Sequence, residues 1–391
     1  MKRWNVLFCT GIMQENKLKV IIIGPAHPLR GGLATYNERL CREWLLQGHD
    51  CSIITFSLQY PGFLFPGTTQ YSEEPAPKDL RIRVMLNSIN PINWILSAMR
   101  IRKMQADLVI VRYWLPFMGP CLGSVLRLLG KKTKIICIAD NIIPHEKRFM
   151  DHAFTRYFVK PIDGFITMSE KVLEDLKQFS QKPARYVPHP VYDTFGDAVD
   201  KKTACQQLKL DEGFRYFLFF GFIRKYKGLD LLFEVIAQLK EHHFFEKYPV
   251  RFLIAGEFYE DRSGYDAMIQ RLQIADYLEM HTHFINDSEV KFYFSASEVV
   301  IQPYRNATQS GITPLSYFYN KPTIVTQVGG LAKFVKHGQT GLIADADVNS
   351  LCEQIEHFAE LPENTFKEEI IAAKKNFTWD NITQTMLKLC E

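Results

Sequence analysis

From residue 19 onward, short apolar runs alternate with longer segments in which apolar positions recur at helical spacing. Such runs are typical of strands buried on both faces of a parallel sheet, and the amphipathic segments are typical of the helices that cover it. Among the helices, the clearest prediction is 34–47, which ends at Gly48. In the first half the pattern predicts strands at 19–23, 51–56, 81–86, 108–112, 134–138, 164–168 and 186–187.

The same alternation restarts in the second half of the chain, after a stretch rich in proline and turn formers at 188–202. Two doubly wound α/β sheets in series are therefore expected. Residues 1–18 are treated as an N-terminal extension, with Met13 as a candidate start, because the apolar run at 6–9 is too short for a signal peptide. The predicted strands of the second half are 216–220, 251–255, 283–285, 299–302, 322–326 and 341–343.

Length and composition agree with this division. A chain of 391 residues with 47% hydrophobic and 23% charged residues exceeds one hydrophobic core and suits two globular domains. The eight cysteines form no CxxC pair, which argues against a disulfide scaffold or a structural zinc site and suits a reducing cytoplasm. No apolar run reaches the roughly 18 residues that a membrane span needs.

Charge is distributed unevenly between the two halves. Lys and Arg exceed Asp and Glu by 8 in residues 1–200, whereas residues 201–391 carry a net charge of −4. In the segment 92–103, Ile92, Ile95, Leu96 and Met99 recur at helical spacing beside Trp94, Arg100, Arg102 and Lys103. This pattern is typical of a helix lying on an anionic membrane surface, and the alternative is a helix whose apolar stripe packs on the sheet.

In open parallel sheets, ligands bind at the carboxyl ends of the strands, so the loops after the strands are the candidate sites. The first strand leads into Gly31 and Gly32, just before a helix, where exposed amides at the positive end of the helix favour an anionic oxygen. A tight turn that merely needs flexible backbone is the alternative. The dinucleotide fingerprint GxGxxG is absent.

Two loops of the second half carry phosphate-binding chemistry. In the segment 221–228, Arg224 and Lys227 lie between Gly221 and Gly228. Cations at a strand-to-helix junction indicate a loop that binds a diphosphate, and the alternative is a basic turn that is only exposed to solvent. A second loop contributes small polar residues before a helix, and together the two loops predict a nucleotide diphosphate site. The residues expected to contact the donor in that second loop are Thr308, Gln309, Ser310, Gly311 and Ile312.

Three further side chains follow predicted strands. Asp140 follows the strand 134–138 and can accept a sugar hydroxyl, and His145 lies five residues further on, either in the site or as a structural hydrogen-bonding residue. Glu257 follows the strand 251–255, and its alternative role is a helix N-cap. No pair of carboxylates has the spacing of a glycosidase site.

Taken together, these loops resemble the retaining family-4 glycosyltransferases of the GT-B fold, over the chain from residue 19 to the last helix. The resemblance implies two Rossmann-like domains facing across a cleft, an acceptor-binding domain at 19–195, a nucleotide-sugar-binding domain at 196–375 and a helix at 376–391 that crosses back. The matching segments are Gly31-Gly32, 221–228, 254–257, 308–311, Val328-Gly329-Gly330 and 337–341.

The chain departs from the family's pattern at three places. The family has a Glu-x7-Glu pair, whose second carboxylate holds the donor ribose. The corresponding segment 307–315 contains no acidic residue, and if the alignment is shifted by one residue, Thr308 and Ser316 occupy the two places. Lys333 replaces a second common acid, and Phe222 stands where the family's phosphate-binding Arg is usual, with Arg224 two positions on.

The resemblance implies transfer of a sugar from a nucleotide-diphosphate sugar to a glycan or lipid-linked acceptor with retention, in cell-envelope polysaccharide or glycolipid synthesis. No metal or other cofactor is required and no nucleic-acid partner is expected. The location implied is the cytoplasm, with peripheral contact at the inner membrane face. The alternatives are a catalytically silent nucleotide-sugar-binding scaffold, which the missing carboxylates suggest, and a nucleotide-sugar epimerase.

Overall fold

The computed structural model describes residues 17–62, 65, 69–143, 149–307 and 310–391. The predictions made for His145, Thr308 and Gln309, and for the extension up to residue 16, lie outside these residues.

The N-terminal half forms a seven-stranded sheet in the order β3-β2-β1-β4-β5-β6-β7, and every neighbouring pair is parallel. Its inner strand β1 is fully buried from Val20 to Ile23, as expected for a strand covered by helices on both faces. The strands are β1 Lys19–Ile23, β2 Asp50–Leu58, β3 Ile82–Asn87, β4 Leu108–Tyr113, β5 Lys134–Ala139, β6 Gly164–Thr167 and β7 Ala184–Tyr186. The helices are α1 Gly32–Leu46, α2 Pro91–Lys103, α3 Gly119–Arg127, α4 Asp151–Val159 and α5 Glu170–Leu176.

The C-terminal half forms a six-stranded parallel sheet in the order β10-β9-β8-β11-β12-β13. The strands are β8 Arg215–Phe220, β9 Val250–Ala255, β10 Leu278–His281, β11 Ser297–Gln302, β12 Thr323–Thr326 and β13 Gly341–Ala344. The helices of this half are α6 Lys201–Leu208, α7 Leu229–Glu241, α8 Phe244–Lys247, α9 Ser263–Leu272, α10 Asp287–Ala296, α11 Ile312–Phe318, α12 Val348–Glu360, α13 Lys367–Lys374 and α14 Trp379–Cys390.

These two parallel sheets are the two Rossmann-like domains that the alternating pattern predicts, and most predicted strands lie within two residues of the observed ones. The prediction of a strand at 283–285 is wrong. The strand β10 lies earlier, where Leu278 pairs with Phe252 and His281 with Ala255. Its sequence Leu-Glu-Met-His lies at the edge of the sheet and lacks the continuous apolar run of a central strand, whereas Phe284 and Ile285 are apolar because they line a cavity.

Four aromatic residues, which we call the aromatic seam, join the two halves: Tyr36 of α1, His189 and Tyr192 of the connection between the sheets, and Trp379 of α14. The Tyr36 ring lies 4.8 Å from Trp379 and 5.2 Å from His189, measured between centroids. The Trp379 indole donates a hydrogen bond of 2.8 Å to the Val191 carbonyl. Helix α14 therefore returns from the second sheet and packs on α1, β5 and β6 of the first.

The carboxyl ends of β1 and β4 in the first sheet and β8 in the second open on one cavity of about 390 Å³, which we call the cleft. Polar contacts join the two sides around it. Arg30 forms an ion pair of 2.6 Å with Glu257, and the Thr35 hydroxyl donates to Asp287 at 2.9 Å. In the described part of the chain, no helix is long and apolar enough to cross a membrane.

Candidate functional site

Most residues that the sequence predicts for a site line the cleft, although they come from distant parts of the chain. The cleft is lined by Gly31, Gly32, Asp140, Gly221, Lys227, Glu257, Ser310, Gly311 and Ile312. Arg224 lies outside this lining, and its exposed guanidinium lies 5.1 Å from the Tyr259 ring. The observed position of the Arg224 side chain therefore does not support the prediction that its guanidinium binds a phosphate inside the cleft through two hydrogen bonds.

The loop after β8 is shaped by two glycines. Gly228 has a positive φ of 68°, and a Cβ there would lie 2.0 Å from the Pro303 carbonyl oxygen, so no other residue fits without moving the backbone. Gly221 has a φ of 97°, and a Cβ there would lie 2.9 Å from the Lys227 Nζ. The two glycines let the loop turn back so that the Lys227 ammonium lies beside the end of the strand.

Lys227 is a buried cation with no anionic partner in the described part of the chain. Its residue is 8% exposed, and its Nζ lies 5.7 Å from the Tyr304 ring centroid. Burial, with a further contribution from the positive charge of Arg224, lowers the pKa of Lys227 to about 7. A buried ammonium is unfavourable unless an anion pairs with it, so a ligand with negative charge in the cleft would gain from this side chain.

The serine loop, residues 310–312, faces Lys227 across the same end of the sheet. The Ser310 hydroxyl donates to the Gln302 side chain at 2.8 Å and accepts from the Ile312 amide at 3.2 Å. Ser316, one of the two places considered for the missing carboxylates, is fully buried, and its hydroxyl donates to the Ile312 carbonyl of its own helix. Ser316 is therefore not turned toward a ligand.

The glycine turn of the first sheet reaches the opposite side of the cleft. Gly31 has a φ of 99°, and a Cβ there would lie 3.7 Å from the Phe222 ring of the other domain. Arg30 stacks on Phe284 at 3.9 Å and pairs with Glu257, whose carboxylate is thus held by a cation of the facing domain. The alternative role of Glu257 as an N-cap is wrong, because α9 begins only at Ser263 with Arg262 as its cap residue.

Asp140 is engaged by a residue that sequence analysis missed. Both of its carboxylate oxygens accept from Arg112, at 2.6 Å from Nε and 2.5 Å from Nη2, and the Arg112 guanidinium lies 3.9 Å from the Tyr36 ring. The carboxylate of Asp140 therefore positions Arg112, and since it also lines the cleft, the expectation that it accepts a sugar hydroxyl stays a prediction. The sequence feature that could have indicated this role is Arg112 itself, a cation near the end of the otherwise apolar strand β4.

His189 and Tyr192 also line the cleft and were missed. Both lie in the connection between the sheets, which the sequence presents only as a run of turn formers. The sequence feature that could have indicated them is a histidine and a tyrosine beside the prolines of this connection. A linker residue, however, is ordinarily exposed, whereas His189 is 4% exposed.

Two protein-family models match the chain and together cover nearly all of it. The model described as "Glycosyltransferase Family 4" matches residues 30–194, and the model described as "Glycosyl transferases group 1" matches residues 200–376. The boundary between the two matches falls in the connection that carries His189 and Tyr192.

Two curated relatives are D-inositol 3-phosphate glycosyltransferases. The one from Acidothermus cellulolyticus is 24% identical over 392 residues, covering 91% of this chain and 84% of the relative. The one from Pseudarthrobacter chlorophenolicus is 28% identical over 141 residues, so the match spans 35% of this chain and only 32% of that relative's length.

Solved structures share the fold at lower identity. Sucrose-phosphate synthase from Thermosynechococcus elongatus has a TM-score of 0.70 and 16% identity, with 95% of this chain and 98% of that chain covered. The Anabaena protein HepE, in complex with UDP and glucose, has a TM-score of 0.70 and 12% identity over the same shares of the two chains. These similarities identify the fold as that of GT-B glycosyltransferases.

The low pKa of Lys227 predicts pH-dependent anion binding. With a pKa of about 7, the side chain must take up a proton when a diphosphate binds above neutral pH. The terminal phosphate of UDP or ADP titrates near pH 6. Above pH 7 it is therefore already ionised, and affinity should fall by up to about tenfold per pH unit.

Calorimetric titration with UDP and ADP between pH 7 and 9 measures this slope. Lys227→Met should bind more weakly at pH 7 and show no slope, while Lys225→Met, an exposed neighbour in the same loop, should keep the wild-type slope. An equal slope in Lys227→Met would contradict the assignment.

Proposed function

The chain belongs to the family-4-like GT-B glycosyltransferases, and we propose that it transfers a sugar from a nucleotide-diphosphate sugar to a glycan or lipid-linked acceptor. Retention of the anomeric configuration, transfer of a hexose and a role in cell-envelope polysaccharide or glycolipid synthesis are parts of this proposal. The observation that carries it is Lys227, a buried ammonium without an anion at the carboxyl end of β8, in a cleft that both domains line.

The donor side of the cleft supports a diphosphate. Lys227 supplies the positive charge, Gly221 leaves space for an oxygen to approach the backbone, and the serine loop lies close by, since a Cβ on Gly221 would be 3.7 Å from the Ile312 side chain. HepE, which has the same fold, is observed with UDP and glucose. We therefore place the donor diphosphate between Lys227 and the serine loop.

We further propose that the reaction is a front-face displacement. The acceptor hydroxyl attacks the anomeric carbon, the bond from that carbon to the diphosphate oxygen breaks, and the departing diphosphate takes the hydroxyl proton. The protein's part is then to orient the two substrates and to stabilise the charge that develops on the leaving group, which Lys227 does from a water-poor site. No step requires a metal or a nucleophile from the protein.

One observation favours the alternative of a silent, nucleotide-sugar-binding scaffold. The family's ribose-binding carboxylate has no counterpart in 307–315, and Ser316 is turned to its own helix. Ribose must then be held by other groups, or only weakly. A scaffold would bind the nucleotide sugar without turning it over, so turnover decides between the two functions.

A panel of nucleotide sugars tests the proposal. We expect one of them to be slowly hydrolysed by the protein alone, as a glycosyltransferase without acceptor does, and nucleoside diphosphate release measures this. Lys227→Met should lower affinity for that donor by about ten- to a hundredfold, because it removes one charge-assisted contact. The matched control Lys225→Met should not. Binding without any hydrolysis would establish the scaffold, and conversion to a different nucleotide sugar would indicate an epimerase.

We also propose that helix α2 attaches the protein peripherally to the cytoplasmic face of a membrane. Ile92, Ile95, Leu96 and Met99 are between 50% and 70% exposed, so their stripe faces outward, and the alternative of core packing is wrong. The buried side of the helix consists instead of Ser97, Ala98 and Ile101. We call the exposed stripe together with the exposed cations Arg100, Arg102 and Lys103 the α2 face.

A lipid surface is the occupant that fits the α2 face, because it combines apolar side chains with cations and no acidic residue within the helix. Each basic residue near an anionic surface contributes about 1 kcal/mol, and the apolar side chains add insertion into the headgroup region. Attachment should therefore be reversible and should weaken with salt.

Sedimentation with vesicles of anionic and of zwitterionic lipid tests this attachment. We expect pelleting with anionic vesicles at low salt and its loss at high salt. Reversal of Arg100, Arg102 and Lys103 to Glu should abolish it, whereas the same reversal at Lys202, Lys367 and Lys375, exposed in the other domain, should have a much smaller effect. Equal loss in both triple variants would show that only net charge matters, and no pelleting of the wild type would refute the proposal.

A further inference from the structure

Two nitrogen atoms of residues that line the cleft have no hydrogen-bond partner among the described residues. One is the Nε2 of His189, whose ring uses only its other nitrogen, with Nδ1 2.8 Å from the Pro190 carbonyl oxygen. The other is the Nη1 of Arg112, whose Nε and Nη2 are both taken by Asp140. A buried polar atom without a partner, such as Nη1 of Arg112, is uncommon and calls for a ligand or ordered water.

His189 is held in one orientation and one tautomer. Its ring lies 5.2 Å from Tyr36 in an edge-on contact and 4.9 Å from Tyr192, between ring centroids. A carbonyl oxygen only accepts, so the contact with Pro190 assigns the proton to Nδ1 and leaves a lone pair on Nε2. Burial lowers the pKa of His189 to about 3, so the ring stays neutral at ordinary pH.

The lone pair of His189 faces the donor side of the cleft. A Cβ on Gly311 of the serine loop would lie 3.7 Å from Nε2. The sugar of a donor whose diphosphate lies between Lys227 and the serine loop is therefore within reach of this nitrogen.

Arg112 approaches the same place from the first sheet. Its guanidinium lies 3.9 Å from the Tyr36 ring, on which His189 also packs, so both groups are positioned by one aromatic side chain. Because Asp140 neutralises the guanidinium, Nη1 is a hydrogen-bond donor within an overall neutral pair. The cleft floor thus combines one acceptor and one donor without net charge.

We propose that His189 and Arg112 form a subsite for the hydroxyl groups of a neutral sugar, the sugar that the donor carries. A hydroxyl group both donates and accepts, so hydroxyls satisfy Nε2 of His189 and Nη1 of Arg112 alike, whereas a carboxylate cannot donate to Nε2. The negative charge of the donor is then matched by Lys227 and its neutral sugar by this pair. The inference rests on the proposed glycosyltransferase function and specifies its donor as a neutral sugar.

The test compares binding of a nucleotide sugar with binding of the same nucleoside diphosphate, by calorimetry, using UDP-glucose with UDP and ADP-glucose with ADP. His189→Phe keeps an aromatic ring and removes the lone pair. It should weaken binding of the nucleotide sugar by about five- to tenfold, the effect of one buried hydrogen bond, and leave the diphosphate alone unchanged. His189→Gln, whose amide oxygen reaches the position of Nε2, should restore part of the loss.

A second variant covers the case in which His189→Phe fails to fold. The double change Arg112→Met with Asp140→Asn removes the cation and its counter-ion together, so no bare charge is left buried. It should show the same selective loss of sugar binding. The control Phe217→Leu alters the core of the second domain outside the cleft lining, and it should change thermal stability but not the affinity ratio.

The outcomes separate the inference from the function on which it rests. If UDP-glucose or ADP-glucose binds the wild type, and the variants bind sugar-carrying and sugar-free nucleotides in the wild-type ratio, the subsite is refuted while the glycosyltransferase function stands. Equal weakening of both ligands likewise overturns the subsite. If no nucleoside diphosphate and no nucleotide sugar of the panel binds at all, the proposed function fails and the inference falls with it.

Discussion

The packing of Tyr36, His189, Tyr192 and Trp379 is the interaction on which the rest of the structure depends. Parallel sheets present their carboxyl-end loops on one edge, and two such edges form a site only if they face each other. Helix α14 crosses from the second sheet to the first, and Trp379 ties it to the connection through the Val191 carbonyl. The same seam positions His189 and, through Tyr36, Arg112. Domain joining and ligand positioning therefore use the same side chains.

Most charged side chains of the cleft are paired with an opposite charge, and two are not. Arg112 is paired with Asp140 and Arg30 with Glu257, and in each case the pair is buried and within hydrogen-bonding distance, as buried charges must be. Lys227 and Asp287 are the exceptions among the described cleft residues. Burial lowers the pKa of Lys227 to about 7 and raises the pKa of Asp287, which accepts a hydrogen bond from Thr35, to about 6. Among the described cleft residues, Lys227 is the cation without a carboxylate partner, which suits the charged diphosphate of a ligand.

Sequence predicts the repeated β and α elements because each is encoded by a local pattern, and it predicts that residues such as Gly221 and Ser310 lie near a ligand because strand ends share an edge. The partner of each side chain is another matter. Glu257 pairs with a residue 227 positions away, and Arg112 reaches Asp140 just after the neighbouring strand, so no local pattern reveals either contact. For Arg224, the loop motif predicts correctly that the residue lies near the cleft, but it does not predict that the side chain points away from the cleft. The boundaries at 195 and 375 and the roles of His145, Thr308 and Gln309 stay predictions.

The central claim is that a nucleoside diphosphate binds between Lys227 and the serine loop, in a cleft that both domains complete. Hydrogen exchange of backbone amides, measured with and without UDP or ADP, tests it most directly. The account predicts slower exchange at 221–228 and at 310–316 together, accompanied by the glycine turn at 31–36 on the facing domain. Protection confined to the N-terminal domain, or its absence from 221–228 under saturating nucleotide, would contradict it.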